Sequence, residues 1–371
     1  MVPDAAAPHP PAQTRVCILL PTHWAAAMGG AEYQVKLLLD ELTLSSDLEI
    51  WYLARNVDSD YRPETYEVRK IGSSTGMRCA LDAPGIFKAL REIRPHTIYC
   101  RVGTAYLGIA AAYCRYNDCK LVWHVAQLDD VKKAKFSLRK LGFPMLDKCL
   151  LEYGLRRANS IVAQSQEQVD ALENNYHQQA AAIVSNFHPL PREKVEKAQP
   201  VTVVWVANLK RVKQPHLFVD VADKLRDSGA QFVMIGANQL PKPEYEKLQQ
   251  RMDLNPALKY IGALEQTQVN AYLAKSHILV NTSVTEGFSN TFIQAWMREV
   301  PVVSLNADPD ELLAQGNLGF FAAGSTDLLT DQISTLIADP ALREQLGKTG
   351  AQYAVENHGL QSARRLIDLI I

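Results

Sequence analysis

The sequence predicts an α/β protein with two doubly wound, Rossmann-like domains that face each other across a cleft. Short apolar or β-branched runs alternate with amphipathic helical patterns along nearly the whole chain, which is typical of βαβ units. A length of 371 residues favours two domains over one. A proline-marked segment from Pro189 to Pro200 separates the two series of elements. Ligands of such folds bind at the carboxyl ends of the strands.

The first series begins with a buried strand at 16–20, a loop, and a helix in which apolar residues recur at helical spacing up to Leu42. Further strands are predicted at 48–54, 97–101, 120–124, 160–163 and 182–185, with a helix at 86–93. Residues 1–14 are rich in Ala and Pro and lack the basic and apolar regions of a secretory signal. We interpret 1–14 as a disordered tail and assign the N-terminal domain to 15–195.

The second series starts with a strand at 201–206. Its further predicted strands are 232–235, 260–261, 278–280 and 301–304, and its helices are 216–225, 268–274 and 291–298. We assign the C-terminal domain to 196–355. Residues 356–371 are expected to form a helix that packs back on the N-terminal domain.

Composition argues against several classes of protein. Lys and Arg number 39 against 40 Asp and Glu, a net charge of -1, whereas nucleic-acid binders normally carry a basic excess. The 6 cysteines form no C-x-x-C pair, so they predict reduced thiols of a cytoplasmic protein and not a disulfide frame or a zinc site. The uncharged, apolar stretch Val102 to Cys114 is shorter than the roughly 18 residues that a spanning helix needs.

The stretch 281–296 is the richest in polar residues at a strand end. Its apolar strand ends at Ser283, a turn contains Glu286–Gly287, and Ser289–Asn290 precedes a helix. This order predicts a capped helix whose free N–H groups attract phosphate. Glu286 could accept hydrogen bonds from sugar hydroxyls, and Gln294, one turn into the helix, could point toward the same ligand. A capped helix with a surface glutamate is the alternative.

A second stretch, 203–215, carries Lys210, Arg211 and Lys213 directly after a strand. Cations at the carboxyl end of a parallel sheet can form a cradle for a diphosphate. Ordinary surface lysines after a strand are the alternative.

The third stretch is the loop 21–32, in which Gly29 and Gly30 open a helix. Paired glycines allow the backbone to approach a ligand closely. The loop is neither a G-x-G-x-x-G fingerprint nor a Walker A loop, and a plain loop before a helix is the alternative.

Together these stretches resemble the glycosyltransferase family 4 pattern on the two-domain GT-B fold, from residue 16 to about residue 357. Gly29–Glu32 matches the family's glycine loop, Val206–Lys213 resembles its G-R-L-x-x-x-K segment, and Glu286–Gln294 resembles its E-x7-E motif. Lesser matches are His124 at a strand end, Asn186-Phe187-His188 before the linker, and Gly236 after a strand.

Three positions depart from the family pattern. Ala207 and Asn208 stand where the family has glycine and arginine, so Lys210 or Arg211 is expected to substitute for the missing cation. Gln294 replaces the second acid. Its amide offers both a donor and an acceptor to a ribose diol, so we interpret it as a variant nucleotide contact.

The resemblance implies a retaining glycosyltransferase that moves a hexosyl unit from a UDP- or GDP-sugar to a glycan or lipid-linked glycan, in cell-surface polysaccharide or glycoconjugate synthesis, with no metal or other cofactor. The N-terminal domain would hold the acceptor and the C-terminal domain the nucleotide sugar. The implied catalytic residues are Lys213 at the diphosphate and Glu286 and His124 at the donor sugar. The implied donor-binding residues are Gly29, Gly30, Asn208, Lys210, Arg211, Gly236, Gly287, Phe288, Ser289, Asn290 and Gln294, the last at the ribose.

The stretch 131–148 contains six basic residues against one acid, Asp147, with Phe and Leu side chains interleaved. Such a stretch can lie on an anionic leaflet, so we expect a cytoplasmic protein with peripheral contact to the inner face of the membrane. A solvated helix face is the alternative.

Two other functions stay open at this point. A sugar-nucleotide epimerase on the same fold would need its own acid and base in the cleft. A non-catalytic two-domain sugar-binding protein would close on its ligand without chemistry.

Overall fold

The computed structural model describes residues 13–72, 78–133, 142–191, 193–315 and 317–371, so most of the expected tail lies outside the described residues. The chain forms two compact units. The first comprises the chain up to Gln164, Gln168–Val184 and Ala363–Ile371, and the second comprises Ser165–Glu167 and Ser185–Ser362. The units therefore divide at Val184, whereas the proline-marked segment suggested a boundary at 195, and that segment belongs to the second unit.

In the described residues, the first unit contains a parallel sheet of seven strands. The strands are β1 Thr14–Leu19, β2 Leu48–Ala54, β3 Glu67–Lys70, β4 Thr97–Arg101, β5 Lys120–His124, β6 Ser160–Ala163 and β7 Ala182–Ile183. The helices are α1 Gly30–Leu42, α2 Ala83–Ile93, α3 Ala105–Cys114, α4 Phe143–Leu155 and α5 Gln166–Tyr176, and α13 Gln361–Ile370 returns to this unit. The spatial order is β3-β2-β1-β4-β5-β6-β7.

The long uncharged stretch after Val102 forms α3, which is hydrophobic nearly all round. Eight of its residues are buried, and Gly108 and Gly154 let α3 and α4 approach closely, because a Cβ at either glycine would overlap the other helix. A helix that is apolar all round lies in a core or in a membrane. This one lies in a core, and no helix in the described part of the chain is long and apolar enough to cross a membrane.

The second unit contains a parallel sheet of six strands among its described residues. They are β8 Thr202–Val206, β9 Gln231–Ile235, β10 Leu258–Gly262, β11 Ile278–Asn281, β12 Val302–Ser304 and β13 Gly319–Phe321, in the order β10-β9-β8-β11-β12-β13. The helices are α6 Pro215–Lys224, α7 Lys242–Leu254, α8 Gln266–Lys275, α9 Asn290–Trp296, α10 Leu312–Gln315, α11 Thr326–Ala338 and α12 Pro340–His358.

Each sheet reverses its strand order beside its first strand, between β1 and β4 in the first unit and between β8 and β11 in the second. The prediction of two doubly wound, parallel-sheet domains is therefore confirmed. In such sheets the loops that leave the carboxyl ends of the strands diverge at the reversal and leave a crevice where ligands bind. The two reversals are therefore the expected positions of a ligand-binding site.

Candidate functional site

Lys213 and Glu286 meet at the strand reversal of the second unit. Lys213 lies in the loop after β8 and Glu286 in the loop after β11, and the two strands pair directly, with Val280 opposite Trp205. The Nζ of Lys213 lies 2.6 Å from Oε1 of Glu286. The side chains are 24% and 14% exposed, so the pair is partly shielded from water yet open to a ligand. Two stretches that are far apart in the sequence thus form one site.

Three donors converge on one oxygen of Glu286. Besides Lys213, the Ser283 hydroxyl donates to Oε1 at 2.6 Å and the Asn281 amide nitrogen donates to it at 3.1 Å. Within the described chain, Oε2 has no hydrogen-bond partner. A carboxylate whose first oxygen is anchored in this way has a fixed orientation and keeps its second oxygen available as an acceptor.

Sequence reasoning did not single out Asn281 and Ser283 as site residues. Asn281 also accepts the backbone N–H of Ser283 at 3.0 Å through its side-chain oxygen, so the strand end and the turn form one hydrogen-bonded unit. The available signal was their position: two polar residues end an apolar strand five and three residues before Glu286. Sequence alone could not show that both side chains turn toward the carboxylate.

Further hydrogen bonds connect the loop after β8 to the loop after β11. Thr282 Oγ1 accepts the indole N–H of Trp205 at 2.9 Å and donates to the carbonyl of Lys213 at 2.7 Å. The backbone N–H of Val284 donates to the carbonyl of Val212 at 2.8 Å. Thr282 and Trp205 are buried, so the hydrogen bonds of the Thr282 hydroxyl are shielded from competing water. The positions of Lys213 and Glu286 are therefore set before any ligand arrives.

The other two cations of the second stretch do not join this pair. Arg211 is 74% exposed and forms an ion pair with Glu244 on α7, and Lys210 is exposed. The guanidinium of Arg211 is bonded to Glu244, and the substitution of Lys210 or Arg211 for the missing family arginine stays a prediction.

Asn208 and Gly236 join the loop after β8 to the loop after β9. The side-chain oxygen of Asn208 accepts the N–H of Ala237 at 3.1 Å. Gly236 has φ 149°, and a Cβ there would overlap the carbonyl oxygen of Ala207. The close approach of the backbones at Gly236 and Ala207 is therefore enough to require glycine at position 236, with no ligand involved.

The start of α9 differs from the predicted cap. Ser289 precedes the helix, but its hydroxyl lies 2.9 Å from that of Thr291 and caps no backbone N–H. The Asn290 side-chain oxygen accepts from Nε2 of His188 at 3.0 Å, and Asn186 donates to the carbonyl of Phe288 at 2.6 Å. The segment that the family pattern marked before the linker thus lies against the start of α9.

Phe288, predicted to bind the donor, is a core residue. It is 4% exposed, and its ring centroid lies 4.5 Å from that of His358. Burial lowers the pKa of His188 to about 3 and that of His358 to about 4, so both imidazoles are neutral at pH 7. The adjacent Gly287 is half-buried in the turn that carries Glu286.

Gln294 is 2% exposed, and its amide nitrogen donates to Asn270 on α8 at 3.1 Å. The amide nitrogen of Gln294 is therefore bonded to Asn270, a neighbour that the sequence did not indicate. A contact with a ribose stays a prediction.

In the first unit, His124 has the environment of a core histidine. It is 0% exposed, Nε2 donates to the carbonyl of Val184 at 2.9 Å, and Nδ1 accepts from Arg101 at 2.8 Å. A carbonyl can only accept and a guanidinium can only donate, so the neutral ring carries its proton on Nε2. Burial, followed by the charge of Arg101, lowers the pKa of His124 well below its usual range. Both ring nitrogens are engaged by the chain itself, and a contact with the donor sugar stays a prediction.

Gly29 and Gly30 stand at the start of α1, as predicted. Gly29 is the residue before the helix, and a Cβ there would overlap the carboxylate of Glu32. The carboxylate of Glu32 therefore lies beside the start of the helix, where the helix dipole stabilises negative charge.

Of the basic stretch 131–148, residues 134–141 lie outside the described residues. The prediction of a membrane contact through it stays a prediction. Residues 143–148 belong to α4, and the carboxylate of Asp147 accepts backbone N–H groups of Cys79 and Ala80.

Comparison with known proteins shows a likeness to glycosyltransferases in part of the chain. Residues 200–339 match the family model described as Glycosyl transferases group 1, so the second unit carries such a domain. The gpi3 subunit of phosphatidylinositol N-acetylglucosaminyltransferase from Schizosaccharomyces pombe is 22% identical over 160 residues, 43% of this chain. The chain spans 35% of the length of that relative.

The fold is that of GT-B glycosyltransferases. Sucrose-phosphate synthase of Thermosynechococcus elongatus superposes with a TM-score of 0.78 at 15% identity, covering 96% of this chain and 98% of that chain. Anabaena HepE, solved in complex with UDP-glucose, superposes with a TM-score of 0.74 at 17% identity over the same shares. At these identities the likeness concerns the fold.

Proposed function

We propose that this chain is a retaining glycosyltransferase of the family 4 type, which moves a hexosyl unit from a nucleotide diphosphate sugar to a sugar or lipid-linked sugar acceptor in glycoconjugate synthesis. The observation that carries the proposal is the anchored Lys213–Glu286 pair at the strand reversal of the second unit. The Glycosyl transferases group 1 match covers the segment that contains both residues. The UDP-glucose in the HepE structure supports a nucleotide sugar as the donor class.

Each residue of the pair has a distinct task in this reaction. Glu286, with Oε1 held by three donors, presents Oε2 to the hydroxyls of the donor sugar. The Lys213 ammonium has three N–H donors, of which Glu286 takes one, so two can reach the oxygens of a diphosphate. A carboxylate and a cation side by side thus suit a ligand that is a neutral sugar at one end and an anion at the other.

In the proposed step, the bond between the anomeric carbon and the β-phosphate oxygen breaks, and its electron pair stays on the phosphate. The acceptor hydroxyl oxygen bonds to the same carbon on the same face, and its proton passes to the departing phosphate oxygen. No carboxylate nucleophile is needed. Lys213 stabilises the negative charge that develops on the phosphate, which is electrostatic catalysis by a preorganised group. The proposal needs no metal ion, and turnover should persist in excess EDTA.

Two further parts of the proposal concern the first unit. We propose that it binds the acceptor and that the basic stretch 131–148 contacts an anionic membrane surface. The charge pattern of that stretch supports the second part. Sedimentation with vesicles containing anionic lipid, but not with neutral vesicles, would support it, and equal sedimentation with both would contradict it.

The test of the transfer reaction is release of free nucleoside diphosphate from a nucleotide sugar, first selected from a panel by thermal shift. A transferase releases it when acceptor is added, whereas an epimerase or a sugar-binding protein does not. Glu286→Gln should reduce transfer about a hundredfold while nucleoside diphosphate affinity changes by less than about threefold, since the carboxylate contacts the sugar. Equal losses of nucleotide affinity and transfer would show that Glu286 does not serve the sugar.

A further inference from the structure

A cavity of about 350 Å³ lies in the first unit, and none of its lining residues belongs to the reaction site described above. Its walls come from three segments: the loop before α1, the last turn of α1, and the connection between β2 and β3 at 61–66. Cavities of roughly 300 Å³ and more are large enough to hold a small ligand. The connection between β2 and β3 contains no helix, and its residues 61–66 bound this space together with the end of α1.

Aromatic rings form one side of the cavity and are locked in place. Tyr66 Oη accepts the indole N–H of Trp24 at 3.0 Å and lies 3.0 Å from Nε2 of His23. Nδ1 of His23 accepts the N–H of Ala25, so Nε2 carries the proton and donates to Tyr66. Trp24 and Tyr61 meet edge to face with centroids 4.9 Å apart, and both rings are half-buried. The cavity therefore has a preformed aromatic corner.

The polar wall is rich in acceptors. Asp40 and Glu64 line the cavity; Glu64 is exposed and has no hydrogen-bond partner in the described residues. Two cations also lie here: Lys36 pairs with Asp40 at 2.6 Å, and Arg62, which lines the cavity, donates to the carbonyls of Ser59 and Tyr61. Glu64 therefore leaves an acceptor in this wall for a ligand that brings its own donors.

We propose that this cavity is a binding subsite for a neutral hexopyranose residue. A hexopyranose has an apolar C–H face that suits the rings of Trp24 and Tyr61 and hydroxyl groups that can donate to Asp40 and Glu64. The subsite is a binding site and not a catalytic one. It does not depend on the proposed transfer reaction, because sugar binding is measured without a donor.

The test is equilibrium binding of the methyl glycosides of glucose, galactose, mannose and N-acetylglucosamine to the full chain, measured by saturation-transfer NMR and calorimetry. We expect saturable binding of at least one of these neutral glycosides. Loss of a hydrogen bond to a charged group costs about tenfold, so Glu64→Ala should weaken that binding by about this factor. Tyr61→Ala should weaken it as well.

Matched controls separate the subsite from general effects on the chain. Glu67→Ala removes an exposed glutamate nearby in the sequence, and Tyr116→Ala removes a tyrosine that is 79% exposed; neither lines the cavity, and both should leave binding unchanged. Glu64 is exposed, so Glu64→Ala is expected to fold and tests the subsite even if Tyr61→Ala does not fold. Glu286→Gln should keep glycoside binding while losing transfer, which distinguishes failure of this proposal from failure of the proposed function. Absence of saturable binding by all four glycosides, or equal binding by Glu64→Ala and Glu67→Ala, would overturn the subsite.

Discussion

The two sheets reverse their strand order in the same manner, yet the polar residues near the two reversals differ in what they contact. In the second unit, Lys213 and Glu286 are 24% and 14% exposed, and one carboxylate oxygen has no partner in the described structure. In the first unit, Arg101 and His124 end two adjacent strands and are 2% and 0% exposed. His124 uses both ring nitrogens within its own unit.

Under the proposed function, this difference separates a residue that binds a ligand from one that supports the fold. A buried polar group without a partner is costly, and His124 avoids that cost because both of its ring nitrogens are bonded. A binding residue needs a fixed position and some unused hydrogen-bonding capacity. Glu286 has both properties, because Ser283, Asn281 and Lys213 fix one oxygen and leave the other. The following predictions test that distinction.

The largest effect is expected at Lys213. Lys213→Ala removes the cation that faces the developing phosphate charge and should lower kcat by about two to three powers of ten. Lys247→Ala, which removes an exposed lysine on α7, is the control and should stay within about threefold. Steady-state kinetics with the selected nucleotide sugar measures both. Similar rates for the two variants would remove Lys213 from the mechanism.

A smaller effect is expected at Ser283, a positioning residue for Glu286. Ser283→Ala removes one of the three donors to Oε1 and should lower kcat about tenfold with little change in KM for the donor, since loss of one hydrogen bond to a charged group costs about 1.5 kcal/mol or more. Ser283→Thr keeps the hydroxyl and should restore most of the rate. A loss of thermal stability without a change in kcat would assign Ser283 to the fold instead.

For His124 the expected effect is on stability. Its folded pKa is depressed by burial, so the folded chain stays unprotonated there while the unfolded histidine takes up a proton below pH about 6.5. This contribution to stability is complete above pH 6.5 and is lost as the pH falls, by up to about 1.4 kcal/mol per pH unit. His124→Gln should be less stable at pH 7 but show a shallower decline to pH 5 in urea unfolding. An unchanged slope would mean that His124 does not stay neutral in the fold.

The smallest effect is expected at Gln294. Restoring the family residue with Gln294→Glu should change activity by less than about tenfold, or roughly 1.4 kcal/mol, because the Asn270 side chain can rotate its amide to donate to the new carboxylate. Gln294→Ala should weaken nucleotide affinity if the amide contacts the ribose. If the native chain is inert with every nucleotide sugar and the Glu variant turns over, the native chain is not an active transferase and the proposed function fails.

Local pattern was sufficient for most strands and for the start of α1, because buried parallel strands require continuous apolar runs and paired glycines mark a helix start. It missed β3, whose sequence Glu67-Val68-Arg69-Lys70 is polar because this strand lies at the sheet edge. It also left 102–114 without a structure, although α3 is a helix there, since an apolar run of this length shows no periodicity.

What the sequence by itself determined is the class of fold and the two strand ends that carry charge, with Lys213 and Glu286 as separate candidate residues. Tertiary structure alone decided how each polar side chain uses its hydrogen bonds. The sequence contains Asn281, Ser283 and Glu286, but it does not show that the first two side chains donate to one oxygen of the third. It also does not show that Arg211 forms an ion pair with Glu244. The physical reason is that hydrogen-bond partners are chosen by proximity in three dimensions, and strands far apart in the sequence set that proximity when they pair.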